Sequence, residues 1–118
     1  MLIHRIAAQL YTAEGLQTVE TALDAGEDVT LAVSQSGRTL AAAAQFARRP
    51  RPTVYIVSGE DAADRAARGL AAYVGLEHVC RFPERTDYPW QDKAPDDAVV
   101  AQRCEALGRI ASGEAVIM

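Results

Sequence analysis

Residues 82–103 read FPERTDYPWQDKAPDDAVVAQR. An apolar stretch closing on Phe82 passes into a loop that carries Tyr88 and Trp90 and is stiffened by Pro83, Pro89 and Pro95. The loop runs into an Asp-started helix, expected to be amphipathic from about Asp96 to Ala111. Val100, Cys104, Leu107 and Ala111 fall on one face of that helix, and Gly113 is expected to end it.

The elements on either side of this stretch alternate. Leu2 to Ala25 reads as one or two helices with Leu16, Val19 and Leu23 on one face, closed by Gly26. Val29 to Val33 (VTLAV) is an expected strand, followed by the small polar turn Ser34 to Gly37 and an Ala-rich helix from about Arg38 to Arg48. Pro50 and Pro52 stop that helix, and Thr53 to Val57 (TVYIV) is the next expected strand. Ser58, with Asp61 three residues on, has the spacing of a helix cap for a helix reaching Val74 and ending at Gly75. His78 to Phe82 and Glu114 to Met118 are the last two expected strands. Strands joined by helix-length crossovers imply an α/β fold, a parallel sheet with helices on both faces. One domain over residues 1–118 is expected, with a helical lead-in over 1–28 and an α/β core over 29–118.

Composition limits the function classes. The chain has 118 residues, of which 49% are hydrophobic, enough for a core without a disulfide or metal staple. The formal net charge of −4 argues against a grip on nucleic acid through phosphates. The run Arg48-Arg49-Pro50-Arg51 reads as a solvated helix end favoured by the helix dipole. Cys80 and Cys104 read as small apolar residues, and neither has a metal-ligand spacing with His4 or His78. No apolar run is long enough for a bilayer span and the N-terminus lacks a convincing cleavage site, so a cytoplasmic protein with no membrane partner is expected.

Ala32 to Thr39, AVSQSGRT, has the frame of a phosphate-binding loop with two key positions changed. Such a loop holds a first Gly, four variable residues and Gly-Lys-Ser/Thr, so that backbone N–H groups cradle phosphates and the Lys neutralises them. Here Ala32 stands at the first Gly and Arg38 at the Lys. Ala32 disfavours a positive φ, and the Arg38 fork is bulkier than a compact ammonium. Ser34, Gln35, Ser36, Gly37, Arg38 and Thr39 are therefore candidate residues of a vestigial phosphate loop. A surviving anion site and a purely structural strand-to-helix turn both fit, and the two substitutions favour the turn.

AVSQSGRT, TVYIVSGEDAADR and residues 82–118 together resemble the N-terminal, UvrB-like domain of bacterial transcription-repair coupling factors (the Mfd family). The likeness covers about Val29 to Met118. It rests on an apolar strand, Pro, an acid, the Tyr88-Pro89 pair, a spacer, Asp, an Arg-led helix and another strand. The resemblance implies a P-loop NTPase-like, RecA-like part-domain with a degenerate nucleotide site. It also implies a parent that is an ATP-dependent DNA translocase, which displaces stalled RNA polymerase and recruits excision repair through UvrA. ATP, magnesium and DNA would belong to the parent's later domains, and no cofactor or catalytic residue is expected in this chain. The expected role is a non-catalytic scaffold contacting neighbouring domains, and the run AVIM at Ala115–Met118 makes an N-terminal fragment the expected form, with a natural edge strand as the alternative.

Tyr88, Trp90, Asp96 and Arg103 are the candidate interdomain or partner contacts. The aromatic pair is expected to pack against the sheet edge or a neighbouring domain, because Glu84, Asp87 and Asp92 repel phosphate. Arg103 is expected to pair with one of these acids. Two alternatives remain: an active P-loop ATPase or helicase domain, and a free-standing flavodoxin-like domain using Ser34, Gln35, Ser36 and Thr39. A sheet edge after Met118 is also expected to offer pairing to a second copy.

Overall fold

Helix ends in this chain are set by local chemistry. A computed structural model describes residues 14–85 and 87–118, so the expected helix before Glu14 lies outside the described residues. Helix α1 spans Glu14–Asp24, and its Leu16, Val19 and Leu23 are all half-buried. Gly26 stops it at φ 76°, a conformation that costs glycine little. Gly26 N then donates to Leu23 O and Glu27 N to Ala22 O, satisfying two carbonyls the helix would leave open.

Helix α2 spans Gln35–Arg48, helix α3 Glu60–Val74 and helix α4 Asp97–Ala111, with a 3-10 turn at Leu76–His78. Gly113 closes α4 as Gly26 closes α1, with φ 77°. Helix α3 is capped by Gly59, without a side-chain cap bond, so the expected cap by Ser58 is not used. Helices α2 and α3 pack closely because the residues between them are small. A Cβ on Gly69 would lie 3.0 Å from Thr39 Cγ2, and Ala43 and Ala44 are fully buried.

The α/β fold is not what the chain adopts. Among the described residues there are four α-helices and no β-strand, so there is no parallel sheet for helices to cover, and no P-loop NTPase-like or RecA-like core. Among the described residues, parallel pairing is confined to two isolated bridges, Thr53 with Ile117 and Val79 with Ile117. The physical reason is the shortness of each pairing run. Pro50 and Pro52 precede Thr53, and the 3-10 turn takes up the first residue of the expected His78–Phe82 strand. Val29–Val33 joins no bridge and leaves Leu31 and Val33 exposed, because β-branched residues make a strand only where a partner backbone is present.

The core gathers at the bridges. Ala43 and Phe46 of α2, Leu70 and Val74 of α3, and Ile117 form one buried cluster, with Tyr55, Val79 and Ala115 against it. Helix α4 is turned from its expected orientation. Val100, Cys104, Leu107 and Ala111 are exposed, whereas Ala106 is buried and Val99, Arg103 and Ile110 are half-buried. Two arginines set this rotation, since Arg103 and Arg109 donate to the backbone carbonyls of Pro83 and Glu77.

Ile117→Ala should destabilise the fold by about 2–5 kcal/mol, the range for truncating a buried aliphatic side chain. Leu76→Ala, at a largely exposed site, should stay within about 0.5 kcal/mol. Urea unfolding of the two variants checks this, and equal losses would contradict the placement of the core.

Candidate functional site

The phosphate-loop frame is occupied by a helix cap. Helix α2 begins at Gln35, three residues before its expected start, and Ser34 is its N-cap. Ser34 Oγ accepts from Gly37 N at 3.3 Å and lies 3.3 Å from Ser36 Oγ, while Arg38 N donates to Ser34 O. The N–H of Gly37, which would face a phosphate, is therefore already bonded. Gly37 has a packing reason as well, since a Cβ there would meet Ser34 Oγ at 3.2 Å and Val33 Cβ at 3.3 Å. Gln35 to Thr39 form the first turns of α2, with the Arg38 side chain exposed.

The aromatic loop holds a second group of expected residues. Tyr88 and Trp90 stack on one another, ring centroids 4.9 Å apart and planes 11° from parallel. A turn bond from Gln91 N to Tyr88 O, at 2.9 Å, brings the rings together. Neither ring is buried, and Trp90 is 78% exposed. Asp96 caps α4, accepting from Ala98 N at 2.9 Å and Val99 N at 3.5 Å. Arg103 does not take the expected acid. Its guanidinium lies 3.8 Å from the centre of the Phe82 ring and donates to Pro83 O at 2.6 Å. Asp87 is bonded by Arg85 instead, at 2.6 Å, and that bond holds its carboxyl below the usual aspartate range.

The structure adds a cleft that the sequence reading missed. A space of about 410 Å³ opens where Val54–Val57, Arg81–Glu84 and the start of α3 converge. Tyr55, Leu70, Phe82 and Ile117 give it apolar walls, and Glu60 and Arg103 stand among its polar groups. Arg81, also on the wall, is paired with Glu60 and Asp64. Glu60 also accepts from Glu84 N at 2.5 Å, which ties the start of α3 to the start of the aromatic loop. The sequence signal was Glu60 and Asp64, four residues apart on α3 and so able to share one arginine.

Burial pushes the Cys80 thiol up, which keeps it protonated and a poor nucleophile at neutral pH. No group of three His, Cys, Asp or Glu side chains suited to a metal ion occurs among the described residues. No helix among them is long and apolar enough to cross a membrane.

Arg103→Ala should cost about 1–2 kcal/mol in urea unfolding, from the lost ring contact and carbonyl bond together. Arg103→Lys should recover only part of it, and no loss in either variant would show that the arginine does not hold the loop. Acid should also weaken the fold. Hydrogen bonds from Arg85 and Arg109 hold the Asp87 and Glu114 carboxyls below their usual ranges. Such groups contribute stability above their unfolded pKa, and it is lost as pH falls through the lower folded value. Glu114→Gln should flatten part of that slope in unfolding curves recorded from neutral pH into this acid range.

No family model, curated protein or solved structure matches this chain.

Proposed function

We propose that the chain is a non-catalytic scaffold domain of a cytoplasmic transcription-repair coupling factor, acting through protein contacts. The observation that carries the non-catalytic part is the bonded Ser34–Gly37 turn. The backbone donor that a nucleotide phosphate needs is engaged in capping α2. The coupling-factor part rests on the motif pattern of residues 82–118. In this reading the parent translocase clears stalled RNA polymerase and brings in UvrA, while ATP, magnesium and DNA are handled by its other domains. This chain supplies a surface for neighbouring domains, with the stacked Tyr88 and Trp90 in the loop and the Phe82–Arg103 contact at its base.

Calorimetry with ATP and magnesium should give no binding heat for the chain or for Arg38→Lys. Magnesium-dependent micromolar binding by the unaltered chain would overturn the non-catalytic reading. Disrupting the gene in its source cell should slow lesion removal from transcribed strands to the rate of non-transcribed strands. Unchanged strand preference would overturn the coupling-factor reading.

A further inference from the structure

Among the described residues, Thr53–Val57 has one bonded edge and one open edge. Thr53 N donates to Val116 O, Met118 N to Thr53 O and Tyr55 N to Met118 O, all on the side of residues 116–118. Alternation along the run turns the N–H and C=O groups of Val54 and Ile56 to the opposite side. Among the described residues these groups have no backbone hydrogen-bond partner, and the side chains are 56% and 88% exposed. An open edge with β-branched side chains is a template for another extended segment.

One run of the chain has the matching character. Val29–Val33 lies outside every helix and bridge, has no backbone bond among the described residues, and exposes Leu31 and Val33. Its surroundings carry the opposite charge to those of the edge. Glu27 and Asp28 precede it, while Arg51 precedes Thr53, and none of the three is ion-paired among the described residues. A groove of about 470 Å³ runs beside the edge on the α2 side, with Ala42, Phe46, Arg51, Thr53 and Val54 in its wall.

We propose that two copies of this chain associate by laying Val29–Val33 of each along the open Thr53–Val57 edge of the other. Parallel pairing with Val29 against Thr53 places Leu31 beside Tyr55 and Val33 beside Val57. The three apolar side chains of Val29, Leu31 and Val33 then lie on the groove side, and Thr30 and Ala32 lie beside Val54 and Ile56. The same register sets Glu27 beside Arg51. A slip by one residue would put Thr30 and Ala32 over the groove, so the apolar pattern selects the register. The reverse direction would bring Glu27 and Asp28 toward Glu60, which favours the parallel one. Each copy brings one edge and one free run, so a two-fold axis satisfies both at once and closes the assembly. The pairing holds whether or not the chain belongs to a coupling factor.

Light scattering and sedimentation across micromolar to millimolar concentrations test it. A dimer that dissociates on dilution is expected. Ile56→Pro removes an edge donor and should weaken dimerisation by about tenfold. Leu31→Lys, at an exposed position, should weaken it without altering the monomer's helical circular dichroism. Arg51→Glu and Glu27→Arg should each weaken it by about twofold to fivefold, and the two combined in one chain should restore it. A monomer at every concentration would overturn the proposal, and so would a dimer indifferent to Ile56→Pro and Leu31→Lys. Slow amide exchange at Val54 and Ile56 in a monomer would overturn it too, by placing the occupant within the same copy.

Discussion

Ile117 joins parts of the chain that are far apart in sequence. Its side chain is 1% exposed, and its backbone is bonded toward His78 and Cys80. Ile117 N donates to His78 O at 2.7 Å, and Cys80 N donates to Ile117 O at 2.9 Å. Its neighbours Val116 and Met118 bond to Thr53 on the other side. The residue thus sits between two runs of chain and beneath α2 and α3, whose Phe46 and Leu70 share its cluster. His78 reinforces the junction through a 3.1 Å contact of Nδ1 with Ala115 O and a ring contact with Phe46. Burying a backbone segment at this point is tolerable because its polar groups are bonded on both sides.

Features decided within a few residues were legible in the sequence. Gly26, Gly75 and Gly113 mark helix ends because each takes a positive φ there, and Asp96 caps α4 because its carboxylate reaches two free N–H groups. Features decided by distant partners were not. Apolar, β-branched runs such as Val29–Val33 and Thr53–Val57 look alike in sequence, yet only the second finds a bonding backbone, and only over Thr53–Tyr55. The face of α4 was misread for a related reason. Apolar spacing pointed to Val100, Cys104, Leu107 and Ala111, but carbonyls at Glu77 and Pro83, outside the helix, draw Arg109 and Arg103 inward.

The site residues show the same division. Ser, Gly and Thr after an apolar run are the residues of a phosphate cradle, and they are equally those of a helix start. Here the Ser34 hydroxyl turns back to the helix. The aromatic loop was legible as stiff, from its prolines, but not as a mutually stacked pair. That stack depends on the turn closed between Tyr88 and Gln91. Beyond the Glu60–Asp64 spacing, the residue types gave no sign of the cleft, because its walls come from separate parts of the chain that meet only on folding.

Charge is arranged to the same end. The basic run at Arg48–Arg51 reads as a solvated helix end, yet Arg48 pairs with Glu20 and Arg49 with Asp24. Those pairs tie the end of α2 to α1. Arg81, Arg85 and Arg109 are likewise bonded to acids of the same chain. Trp90, Leu107 and the edge at Val54 and Ile56 are among the exposed groups of the described residues. Such groups gain most from contact with another polypeptide, which can bury their apolar area and complete their hydrogen bonds together.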